Sequence, residues 1–140
     1  MTNRKLADIL EAQTLLALEE HALVQEACRC MWEYRKGSVL VIDQDGRLIG
    51  IFTGRDAVRM LAEGRSPDAT PLVQAMTRDP VTVAPTTRAV DALREMSDRG
   101  IRHLPVVENE TILGVVSRGD FKGMEIDRLD DDDHLTECLR

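Results

Sequence analysis

Two rhythms of apolar positions run along this chain, and the pair occurs twice. Ala89, Ala92, Leu93 and Met96 recur at helical spacing, with Gly100 placed as a C-terminal stop. Ala27 to Met31 falls on the same pattern when the chain is shifted by about 65 residues. After each helical stretch come two short, nearly continuous apolar runs, which predict strands buried on both faces. In the first half these are Ser38 to Ile42 and Arg47 to Phe52, around Asp43-Gln44-Asp45-Gly46. Asp45-Gly46 is a strong turn signal. In the second half they are His103 to Val107 and Thr111 to Val116, around Glu108-Asn109-Glu110. A short extended piece leads each half, Leu15 to Leu18 and Val81 to Ala84, and a second helix is predicted to open at Thr53 and at Ser117.

The duplication is sharpest in one phrase. Gly50-Ile51-Phe52-Thr53-Gly54-Arg55-Asp56 returns as Gly114-Val115-Val116-Ser117-Arg118-Gly119-Asp120. Both copies read glycine, two apolar residues, a hydroxyl, two variable positions, aspartate. Between the halves, Gly64 to Pro71 has the composition of a linker, and Leu72 to Met76 predicts a short helical turn. Leu6, Ile9 and Leu10 share one face of a predicted N-terminal helix, which suits packing on the protein or a partner better than a membrane. Trp32 and Tyr34 are expected to be partly in the core.

Composition narrows the classes. Apolar residues make up 43% and charged residues 31%, the balance of a globular protein and not a disordered one. No apolar run reaches the length of a membrane helix and no signal core is present, so the chain reads as cytoplasmic. A net charge of −7 with 3% aromatics opposes nucleic acid as a partner. Three cysteines, Cys28, Cys30 and Cys138, make no disulfide framework and lack the spaced ligands of a zinc site. Asp130 to Asp133 reads as a solvated acidic run, and His134 with Cys138 is a weak ligand pair.

The repeated phrase supports two readings. As structure, Thr-x-x-Asp and Ser-x-x-Asp are helix-start boxes in which the hydroxyl accepts a backbone N–H. As chemistry, the hydroxyl and Arg55 or Arg118 suit a phosphate. An ionised Asp56 or Asp120 accepts both hydroxyls of a ribose diol. One copy alone reads as a cap. His103 stands without the neighbours of a catalytic triad.

The chain resembles a tandem pair of cystathionine-β-synthase (CBS) domains, a Bateman module of the stand-alone type. The resemblance rests on Asp79-Pro80-Val81-Thr82-Val83, Ala92-Leu93-Arg94-Glu95-Met96, Ile101-Arg102-His103-Leu104-Pro105-Val106-Val107 and both phrases, and covers nearly all of residues 12–128, more closely in the second half than in the first. It implies an α/β (α+β) fold of two β-α-β-β-α repeats, packed sheet to sheet with pseudo-two-fold symmetry. The expected division is an N-terminal helix over 1–13, a first repeat over 14–66, a linker over 67–78, a second repeat over 79–128 and an acidic tail over 129–140.

The resemblance further implies an adenosyl ligand, AMP, ADP, ATP, NAD(H) or S-adenosylmethionine, in clefts between the repeats. Thr53 and Asp56 would serve one site, with Lys36, Ser38 and Arg55 beside them. Ser117 and Asp120 would serve the other, with Arg118, Arg102 and His103 toward phosphate. Leu16, Ala17 and Leu18, and Val81, Thr82 and Val83, would flank the base, while Ile101 and Pro105 wall the pocket. Lys36-Gly37-Ser38 against Ile101-Arg102-His103 makes the two sites chemically unequal. The expected function is a non-catalytic regulatory module, a homodimer that signals ligand occupancy to an unidentified protein target. A structural dimerisation module with vestigial sites is the alternative. An enzyme reading lacks a positioned nucleophile, metal set or acid–base pair.

Overall fold

The structure, a computed structural model, describes residues 4–10 and 15–121. The acidic run, His134, Cys138 and any helix continuing beyond Phe121 lie outside the described residues. The chain divides into two compact units. One spans Thr14–Val81 and takes in Asn109–Ile112. The other joins Met1–Gln13, Thr82–Glu108 and Leu113–Arg140. We name them the first-repeat and second-repeat units.

The first-repeat unit is built on a four-stranded sheet in the order β1-β2-β3-β4. Its strands are β1 (Ala17–Glu19), β2 (Ser38–Ile42), β3 (Leu48–Thr53) and β4 (Thr77–Arg78). β1 runs parallel to β2, whereas β2 with β3 and β3 with β4 are antiparallel. Gly46 takes a positive φ of 82° in the β2–β3 turn, as the Asp-Gly signal requires. Helix α2 (Val24–Tyr34) turns Val24, Ala27 and Met31 onto the sheet. That stripe places Trp32 on the opposite face, where it is 84% exposed, and Tyr34 is exposed beside it. The expectation that these two rings join the core is therefore corrected: the heptad-like stripe already fills the sheet-facing side. Helix α3 (Gly54–Ala62) adds Met60 to a core of Val39, Val41, Phe52, Leu72, Ala75 and Met76.

The second-repeat unit repeats the plan. Helix α4 (Ala89–Arg99) precedes strands β5 (His103–Glu108) and β6 (Thr111–Ser117), which form a two-stranded sheet. The leading extended piece is reduced to one parallel bridge, Val83 to Val106. A single 3₁₀ turn, Arg118–Asp120, follows Ser117. Asn109 and Glu110, which link β5 to β6 but are grouped with the first-repeat unit, both have positive φ, the backbone of a tight hairpin turn.

Backbone hydrogen bonds record the duplication. Lys36 N donates to Met31 O at 3.0 Å, and Ile101 N donates to Met96 O at 3.0 Å. Gly54 N meets Gly37 O at 3.2 Å, and Arg118 N meets Arg102 O at 3.0 Å. Each first helix ends on a left-handed residue, Arg35 at φ 56° and Gly100 at φ 67°. Glycine adopts that conformation freely, and arginine at a cost of about 1 kcal/mol.

Each unit is also completed by a short segment of the same design. Beside the first repeat, Val24 N donates to Thr70 O (2.9 Å), Leu72 N to Ala22 O (2.8 Å) and Val73 N to Glu20 O (3.0 Å). Beside the second, Ala89 N donates to Arg4 O (2.7 Å), Leu6 N to Thr87 O (3.0 Å) and Ala7 N to Pro85 O (3.1 Å). Leu72 and Leu6 are both fully buried, each contributing about 1.5–3 kcal/mol. Helix α1 (Leu6–Leu10) thus stands to the second repeat as the turn Leu72–Gln74 stands to the first. The phrase glycines serve this arrangement: a side chain at Gly50 would run into Met76, and one at Gly114 into Leu10.

Candidate functional site

β3 delivers Thr53 in extended conformation to the start of α3, and β6 delivers Ser117 in the same conformation to its 3₁₀ turn. In the first copy Thr53 N donates to Asp56 Oδ2 at 3.0 Å, and Asp56 N donates to Thr53 Oγ1 at 3.3 Å. In the second, Ser117 N donates to Asp120 Oδ2 at 2.8 Å, and Ser117 Oγ donates to the same oxygen at 3.3 Å. Both copies are therefore caps, as the hydroxyl-x-x-aspartate spacing implies.

Beyond the cap the copies part. Asp56 is only 7% exposed. Thr77 Oγ1, from β4, donates to Asp56 Oδ1 at 3.1 Å. Arg59 Nη2 lies 3.5 Å from the same oxygen while donating to Ala75 O at 2.7 Å. The carboxylate ties α3, β4 and the segment before β4 together. Asp120, by contrast, stays half-buried. Its charge reaches His103. Burial pushes the His103 imidazole below the usual histidine range, Arg102 adds to that push, and Asp120 opposes it. Arg4 Nη2 donates to the Asp120 carbonyl at 3.3 Å.

The second-repeat unit therefore holds Ser117, Asp120, His103, Arg102 and Arg118 in one unit, with Arg118 N bonded to Arg102 O. Val83 joins Pro105 there: Val83 N donates to Pro105 O at 3.0 Å. Ile101 is half-buried at the end of α4, Pro105 is buried and Thr82 is exposed. In the first-repeat unit, Ser38 is buried and pairs across the sheet with Thr53, while Lys36 and Arg55 are exposed. Leu16, Ala17 and Leu18 are half-buried, and Leu16 O already accepts from Leu40 N at 3.0 Å. Val81 falls in the first-repeat unit, apart from Thr82 and Val83.

Three residues were not foreseen from sequence, Thr77, Arg59 and Arg4. The signal was present: Leu6-Ala7-Asp8-Ile9-Leu10 and Leu72-Val73-Gln74-Ala75-Met76 share apolar positions, so the repeat extends further upstream than the phrases suggest. Among the described residues, Glu19, Glu20 and His21 bring one ligand atom each within 4.8 Å. This surface group of three does not supply the closed four-ligand set of structural zinc. Burial raises the Cys28 thiol, which leaves it less reactive than a free cysteine.

Comparison with known proteins decides the family. The CBS domain model matches residues 6–63 and 72–124. The chain belongs to the CBS domain family. Both matches begin at or beside the segments that complete each unit, Leu6 and Leu72. A CBS domain-containing protein of Arabidopsis thaliana is 38% identical over 108 residues, covering 76% of this chain and 20% of that protein. The chain thus spans about a fifth of that relative's length. Among solved structures, a CBS domain protein from Pyrobaculum aerophilum complexed with AMP has a TM-score of 0.80 at 25% identity. That match covers 91% of this chain and 99% of the other. A CBS-domain containing protein from Agrobacterium tumefaciens has a TM-score of 0.76 at 29% identity, covering 85% and 91%. The mixed helix-and-sheet CBS fold is thereby established for this chain.

Proposed function

We propose that this CBS domain pair is a non-catalytic regulatory module that binds an adenosine nucleotide at the Ser117–Asp120 phrase of its second repeat. The observation that carries the proposal is the contrast between the two aspartates. Asp56 is buried in contacts with Thr77 and Arg59. Asp120 is half-buried, and its charge and that of the exposed Arg102 act on the desolvated His103. A carboxylate acceptor, a hydroxyl and a group of cations in one unit match a ribose and a phosphate. The AMP complex of the Pyrobaculum protein supports AMP as the first ligand to try.

The vestigial reading applies to the first repeat, whose aspartate acts as a structural tie. Occupancy is relayed through a homodimer, a reading supported by the exposed Trp32 on α2 and by Val58 and Leu61 on α3. A ligand that binds two dimer arrangements with different affinity shifts their balance by that difference.

The test is calorimetric titration of AMP into wild type and Asp120→Ala, with sedimentation of wild type at each end of the titration. The expected result is binding by wild type and a loss of at least about tenfold in the variant. Equal affinities would sink the ribose assignment. A monomer with and without AMP would remove the dimer relay.

A further inference from the structure

Arg4 enters the second-repeat unit through the segment that completes it, and its side chain sets it apart from its counterpart. The backbone oxygen of Arg4 accepts from Ala89 N, as Thr70 O accepts from Val24 N in the first repeat. The docking needs only that carbonyl. Thr70 is 5% exposed and turns its hydroxyl back to Ser66 O at 2.7 Å. Arg4 instead stays half-buried and extends its guanidinium to the Asp120 carbonyl at 3.3 Å. The same structural position thus holds a small neutral residue in one repeat and a long cation in the other. The cation lies on the residue whose carboxylate receives Ser117 N and Ser117 Oγ. Arg102, His103 and Arg118 belong to the same unit.

We infer that Arg4 is a phosphate-binding residue of the second-repeat site, supplied by the segment ahead of the first repeat. The inference rests on the nucleotide reading of that site and assigns its phosphate charge. Guanidinium presents several N–H donors in a planar fork, a geometry that matches phosphate oxygens. It keeps its charge at any working pH. In a chain of net charge −7, an anionic ligand needs such local compensation.

The test uses the full chain with Arg4→Thr, which installs the residue the first repeat carries at this position, and Arg4→Lys. Affinities for adenosine, AMP and ATP are measured by calorimetry, and melting is followed without ligand. The expected result for Arg4→Thr is a melting point lowered only slightly by loss of the bond to the Asp120 carbonyl, unchanged adenosine affinity and a loss of about tenfold or more for AMP and ATP. Arg4→Lys restores part of that loss. Arg4→Thr binding AMP as wild type does would overturn the assignment. So would an equal loss for adenosine, which marks packing and not charge. Both of those outcomes leave the nucleotide reading standing. Failure of wild type to bind any of the three overturns the nucleotide reading and this assignment with it.

Discussion

The two copies of the glycine-to-aspartate phrase are alike as backbone and unlike as chemistry. Thr53 and Ser117 both cap, and Asp56 and Asp120 both receive the capping N–H. Yet Asp56 is buried against Thr77 and Arg59, while Asp120 lies half-buried with His103, Arg102 and the Arg4 guanidinium in its unit. Duplication supplies one geometry, and the neighbours decide whether a carboxylate serves the fold or a ligand. Removing a buried carboxylate with several donors deletes several contacts at once.

The largest effect expected from this contrast is on stability. Asp56→Ala removes the acceptor of Thr53 N and of the Thr77 hydroxyl and should cost about 2 kcal/mol in denaturant unfolding. Asp120→Ala should cost less, because Asp120 is only half-buried. Equal losses would mean that both aspartates do the same structural work. Next come the phrase glycines. A methyl group at Gly50 runs into Met76 Sδ and meets Met76 Cγ at 2.9 Å and the Thr77 carbonyl at 3.0 Å, whereas at Gly114 it meets the terminal Leu10 Cδ2 at 2.8 Å with the next atoms at 3.6 Å. Gly50→Ala should therefore cost about 2 kcal/mol and Gly114→Ala less than about 1 kcal/mol, because the first obstruction includes a backbone carbonyl and a buried side chain, and the second only the end of a half-buried one. The reverse order would show that α1 is held more tightly than the first-repeat segment.

The smallest effect concerns pH. The folded value of His103 lies below its unfolded value of about 6.5, so the unfolded chain takes up this proton first as pH falls. His103 costs no stability above that pH. Its cost grows as pH drops below it, until the folded imidazole also protonates. Between about pH 7.5 and about pH 5.5, wild type should lose more stability than His103→Gln, and saturating AMP should narrow the gap by favouring the imidazolium. Identical pH profiles would show that burial does not lower the His103 imidazole.

Much of this was legible because it is local. Helical spacing from Ala89 to Met96 needs only a solvent-averse face, and α4 spans Ala89–Arg99 with Gly100 left-handed at its end. The Asp45-Gly46 turn and the hydroxyl-x-x-aspartate caps depend on residues three or four apart. The same local reading failed at Trp32, where large apolar area suggested burial but the helix stripe chose otherwise. It also left the two aspartates as equals, since Thr77 is 21 residues from Asp56 and Arg4 is 116 from Asp120.

By itself, the sequence determined that the chain is a duplicated α/β unit with a capping phrase in each half, and that the Lys36-Gly37-Ser38 and Ile101-Arg102-His103 stretches make those halves unequal. Only the tertiary structure decided which segment completes which repeat, and thereby what surrounds each aspartate. The physical reason is distance along the chain. Capping and periodicity are satisfied within a turn or two, whereas the solvation and charge of a carboxylate are set by residues that folding brings from far away.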